Sequence, residues 1–116
     1  MDIYHVWCDL KHGVRGSHFA ETVRLCMEHL REQGLLESWR LTRRKLGLGP
    51  RELGEWHLMI EVKDLRQMQD LFESMARRTD PEEGLHHAMN ALVVNTTYSL
   101  TRDYPDPGRV PGEESF

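Results

Sequence analysis

Two histidines carry the sharpest chemical possibility in this sequence. His5 lies in Ile3-Tyr4-His5-Val6-Trp7-Cys8-Asp9 and His57 in Glu55-Trp56-His57-Leu58-Met59-Ile60-Glu61, and both strings read as β-strands. An imidazole titrates close to neutrality, so one of the pair could act as a general base. Asp9, Glu55 and Glu61 share the two-residue phase of the histidines, which puts carboxylates on the same face. Arg40, in the next strand segment, carries the planar guanidinium that best clamps a substrate carboxylate or enolate. Trp7, Glu61 and Asn95 are the candidate ligand contacts on that face. His5, His57 and Glu61 also have the donor types of a 2-His-1-carboxylate site for zinc, iron or nickel. No HxH or HExxH string supports a metal, and nothing in the sequence requires a cofactor. The competing reading is that both histidines merely hydrogen-bond to carboxylates across an interface between two copies.

Other reactive types read more plainly. Cys8 and Cys26 are too far apart for a CxxC motif and sit among apolar neighbours, so they are expected as buried thiols. Trp39 and Trp56 fall in the apolar phase of their strands and belong to the core, whereas Trp7 is open to a ligand. His86 and His87 are adjacent, so in extended chain at most one would enter a given site. The basic run Arg43-Arg44-Lys45 lacks the aromatic-rich strings of RNA-binding sheets, and charge of this kind protects an edge strand from aggregation. With a net charge of -4, the chain has no footprint for nucleic acid. Gly47-Leu48-Gly49 lacks the third glycine and following helix of a phosphate cradle, and reads as a hairpin loop.

The elements that must position these residues follow from spacing. Residues 2–10 form a first strand, turning at Lys11-His12-Gly13. Ser17 is the expected cap of a helix whose buried stripe is Phe19, Val23, Cys26, Met27 and Leu30, stopped by Gly34. Strands are expected over 37–46 and 55–62, the latter alternating Trp56, Leu58, Ile60 and Val62 against Glu55, His57, Met59 and Glu61. Asp64, with Gln67 in reciprocal position, caps a second helix buried through Leu65, Met68, Leu71, Phe72, Met75 and Ala76. Arg77-Arg78 suit its C-terminal dipole and Asp80-Pro81 ends it. The segment with Leu85, His86 and His87 could hold a further helical turn before a strand over 92–101. Residues 1–102 thus make one α+β domain, and the proline-rich residues 103–116 a tail.

The order β-α-β-β-α-β is that of the ferredoxin-like, split-βαβ arrangement: an antiparallel sheet with two helices on one face, the first and third strands central. The helix-covered set should be Tyr4, Val6, Cys8 and Leu10, Trp39 and Leu41, Trp56 to Val62 in alternation, and Leu92, Val94, Tyr98 and Leu100. The uncovered set mixes Ile3, Trp7, Met59 and Val93 with His5, Asp9, Arg40, Thr42, Arg44, Glu55, His57, Glu61, Asn95, Thr97 and Ser99. The apolar members need a further layer, and a second copy of the chain supplies one, since roughly 800 Å² per partner is within reach of a sheet face.

Element order, length and two-sided sheet resemble the dimeric α/β-barrel superfamily, which includes antibiotic-biosynthesis-type monooxygenases, haem-degrading enzymes and stress-responsive barrel proteins. The strings Tyr4-His5-Val6-Trp7-Cys8-Asp9-Leu10, Trp39 to Gly49 and Gly84-Leu85-His86-His87-Ala88 also resemble an uncharacterised bacterial family of similar length. The expectation is a homodimer that binds or transforms a small organic molecule, as in cofactor-independent oxidation or isomerisation, in a sheet-face pocket. His5, His57 and Arg40 would be its catalytic residues. The alternatives are a non-catalytic protein whose polar face serves only pairing, and a divalent-metal binder. The sequence shows no signal peptide or membrane span, so a cytoplasmic protein without membrane partners is expected.

Overall fold

A computed structural model describes residues 1–77 and 82–105. The elements run β1 (Asp2–Leu10), α1 (Gly16–Glu32), β2 (Ser38–Arg43), β3 (Trp56–Val62), α2 (Leu65–Ala76), α3 (Glu82–Asn90) and β4 (Val93–Arg102). The sheet is four-stranded in the order β2-β3-β1-β4, and every pairing is antiparallel. β1 and β3 are therefore central, as the topology requires. Among the described residues the helices number three rather than two, because the segment around Leu85 and Met89 forms a full helix that packs its apolar side on the core.

One layer of helices covers one sheet face. Val23, Cys26, Met27 and Leu30 of α1 and Leu71 of α2 meet Cys8, Trp56, Leu58, Ile60 and Val62, all buried. Both cysteines are free and buried, as expected. Burying an apolar side chain of this size contributes roughly 1.5–3 kcal/mol, so this layer supplies most of the driving force. The expected cap of α2 forms: Asp64 Oδ1 accepts from the Gln67 amide at 2.9 Å, while Gln67 Oε1 accepts from Lys63 N at 2.7 Å. Arg78 and Asp80-Pro81 lie outside the described residues, as do residues 106–116 of the tail.

Several expectations are corrected. Ser17 does not cap α1; the N-cap is Arg15, without a side-chain bond. The helix starts early because Gly16 lies against Trp56, where a Cβ would stand 3.0 Å from the indole. β2 ends at Arg43, since Arg44 leaves the strand to donate to the carbonyls of Pro50 and Leu53 at 2.9 and 2.8 Å, holding the loop closed. Of the expected α2 stripe Leu71 is buried and Met68 and Met75 pack against the core, whereas Leu65, Phe72 and Ala76 are exposed, and Ser74, outside that stripe, is buried.

The largest correction lies in β4. The β1–β4 register shifts between Trp7↔Thr97 and Asp9↔Val94, and Asn95 takes the left-handed conformation at φ 56°. This bulge adds one residue to β4 and inverts the phase before it. Val93 therefore packs against the core and Val94 faces the open side, the reverse of strict alternation. Tyr98 and Leu100 keep the helix-side phase but remain exposed, because the helices stop short of this edge strand.

Candidate functional site

The uncovered face is a grid fixed by register. Arg40, Met59, His5 and Ser99 form one cross-strand row; Thr42, His57, Trp7 and Thr97 the next; Ser38, Glu61, Ile3 and Thr101 a third. His5 and His57 are thus diagonal neighbours on adjacent strands, within reach of long side chains.

They meet directly. His5 Nδ1 lies 2.9 Å from His57 Nε2, and His5 Nε2 lies 2.8 Å from Thr101 Oγ1. The rings of His5, Trp7 and His57 stack: Trp7 to His57 at 4.3 Å and 14°, His5 to Trp7 at 5.4 Å and 10°, His5 to His57 at 5.1 Å and 24°. Burial lowers the pKa of both imidazoles, and at His57 the charge of His5 lowers it further. Both rings therefore favour the neutral form, which suits a bond that needs an unprotonated acceptor.

The other expected members are held elsewhere. Glu61 accepts from the Ser38 hydroxyl at 3.0 Å. Asp9 accepts from the Glu55 amide at 2.9 Å and from Asn95 Nδ2 at 3.3 Å, and the Glu55 carboxylate pairs with Arg43 at 3.1 Å. Among the described residues no carboxylate bonds either imidazole. Arg40 is exposed and stands across Met59 from His5. Among the described residues no three His, Cys, Asp or Glu side chains converge closely enough to hold a metal ion. His86 and His87 lie on α3, where His86 Nε2 approaches Asn90 Nδ2 at 3.0 Å, away from this face.

Thr101 is the partner that the sequence reading left out. Its odd position in β4 shares the phase of Thr97 and Ser99, so the signal was available in the two-residue period. Beside His57 and Trp7 a shallow pocket of about 180 Å³ runs under the β2–β3 loop, lined also by Arg44, Leu48, Pro50 and Glu55.

Over residues 1–116 the sequence matches the model of a family of unknown function, DUF6614. The chain belongs to that family. No curated protein matches it in sequence. The fold is similar to that of At3g17210 from Arabidopsis thaliana, with a TM-score of 0.71 at 6% identity, over 91% of this chain and 98% of that one. It is also similar to a dimeric protein of unknown function and ferredoxin-like fold from Bacteroides fragilis, with a TM-score of 0.53 at 11% identity, over 88% and 96%. The family member described here is accordingly a ferredoxin-like α+β protein, and at such identities the likeness concerns the fold alone. Among the described residues no helix is long and apolar enough to cross a membrane.

Proposed function

We propose that the chain works as a homodimer, two copies packed through the uncovered sheet face, and that a small organic molecule is bound at that face beside His57. The observation that carries this reading is the chain Thr101–His5–His57, laid across a face whose Ile3, Trp7 and Met59 are only half-buried. Among the described residues a single copy has no layer to cover them, and closed two-fold pairs are the commonest assembly.

The hydrogen bonds admit one tautomer series that makes His57 a base. His5 Nε2–H donates to Thr101 Oγ1, and His57 Nε2–H donates to His5 Nδ1. His57 Nδ1 then keeps its lone pair, and it has no hydrogen-bond partner among the described residues. A neutral imidazole next to a pocket is suited to abstracting a proton from a bound molecule, with His5 fixing the ring. Proton abstraction of this kind serves isomerisation or cofactor-independent oxidation. Arg40 stands a row away and would take part only through substrate that extends across Met59.

Two measurements test the proposal. Sedimentation equilibrium should give twice the chain mass for the wild type and the chain mass for Trp7→Glu; a wild-type monomer rules out pairing. Long-range ¹H–¹⁵N spectra at neutral pH should show His57 protonated at Nε2 and bare at Nδ1. The opposite tautomer would leave His57 as a pairing residue and remove its role as base.

A further inference from the structure

A second concavity lies on the other side of the sheet, where the helix layer stops short of β4. Its volume is about 410 Å³. Val6, Leu58 and Ile60 form its floor, and Met27, Met75 and Met89 its helical wall. Its third side is aromatic: the Tyr4 ring meets Phe72 edge-on at 5.1 Å and lies nearly parallel to Tyr98 at 6.0 Å. Phe72 is 38% exposed and Tyr98 59%, although each lies on the helix–sheet side of its element. The polar groups of the lining include His86, Asn90 and Thr96, the first two already joined at 3.0 Å. Among the described residues no Asp, Glu, Lys or Arg lines the cleft.

From this size, the aromatic walls and the uncharged lining among the described residues we infer that the cleft binds a neutral aromatic molecule of two or three rings, with a hydroxyl or carbonyl turned toward His86, Asn90 and Thr96. An apolar cavity of about 150 Å³ suffices for benzene, so the larger volume here has room for fused or linked rings. Parallel and edge-on aromatic walls are the geometry that stacks such rings. A charged ligand would lose its hydration with no counter-ion among the described lining residues in exchange. A second copy presents a broad surface and cannot reach a floor containing Ile60, only 2% exposed. Cys8 also lines the cleft, but burial, helped by the Asp9 carboxylate, pushes its thiol up to about 11. It stays protonated at neutral pH, so the association is non-covalent. This site lies on the opposite side of the sheet from His57 and does not depend on the pairing proposal.

The uncharged fluorophore N-phenyl-1-naphthylamine is a suitable probe for the full chain. We expect a saturable rise in fluorescence at one site per chain. With ¹³C-methyl methionine, the signals of Met27, Met75 and Met89 should shift while that of Met59, on the other face, stays still. Thr96→Trp, which fills the cleft mouth from an exposed strand position, should weaken probe binding at least tenfold. Ser99→Trp, the same change on the opposite face of β4, should leave it within twofold. Absence of saturable binding overturns the inference, as does a shift at Met59 without shifts at the three cleft methyls. Undiminished binding by a folded Thr96→Trp variant does so too; if that variant does not fold, the methionine shifts decide.

Discussion

Nδ1 of His5 and Nε2 of His57 lie 2.9 Å apart, so these two imidazoles, 52 positions apart in sequence, share a single proton between them. A second proton would break the bond and place two like charges in a partly buried stack. Burial lowers the pKa of each ring, and the His5 charge adds to the effect at His57. The unfolded chain therefore binds more protons than the folded one once the pH falls below about 6.5. The stabilisation is complete above that value and is lost as the pH falls through the lowered folded values. Melting temperature, compared about one unit either side of 6.5, should drop on the acid side; the double variant His5→Gln, His57→Gln should flatten the difference.

Asp2, 3% exposed, receives two bonds from Arg102, Nε to Oδ1 at 2.6 Å and Nη2 to Oδ2 at 3.1 Å. The residues are Cα partners in the β1–β4 ladder, so the pair fastens the end of an edge strand. Arg102→Met leaves the carboxylate buried without its fork and should cost about 3 kcal/mol in urea unfolding. Adding Asp2→Leu to it should recover most of that loss. A single variant as stable as the wild type would show that the pair contributes nothing.

Gly54 touches β1 so closely that an added Cβ would stand 2.4 Å from the backbone carbon and oxygen of Cys8. Backbone cannot swing aside as a side-chain tip can. Gly54→Ala should destabilise by about 3 kcal/mol, the upper end of overpacking. Because Leu53 and Gly54 also anchor the β2–β3 loop, the indole emission of Trp7 should change with it.

Asn95 holds the bulge with a left-handed backbone at φ 56°. Asn95→Gly should cost under about 1 kcal/mol, since glycine adopts this conformation freely and only a 3.3 Å bond to Asp9 is lost. Asn95→Val, branched at Cβ, should cost about 2 kcal/mol more. Equal stability of the two variants in thermal unfolding would show that the bulge is not set by this residue.

Much of the architecture is legible in the sequence because it is local. The alternation Trp56-His57-Leu58-Met59-Ile60-Glu61-Val62 records which side of one strand is buried, and the structure buries Trp56, Leu58, Ile60 and Val62. Asp64 and Gln67 mark a helix start within one turn, and they cap it. Ser17 misleads because the start of α1 is set by a contact with Trp56, 40 residues beyond Gly16, where propensity at the cap has no say.

The site divides in the same way. The two-residue period by itself placed His5, Trp7, His57 and Glu61 on one face and Trp39 and Trp56 on the other. Which of them touch was decided by register, a property of pairings between distant segments. Register joined His5 to His57 and Thr101 and gave Glu61 to Ser38, so the imidazoles meet each other instead of a carboxylate. The bulge at Asn95 inverted Val93 and Val94, and the reach of the helix layer left Tyr98 bare and opened the cleft. Periodicity states which side of a strand is buried. Only the packed chain states what stands opposite, because that depends on how helices and strands distant in sequence share one core.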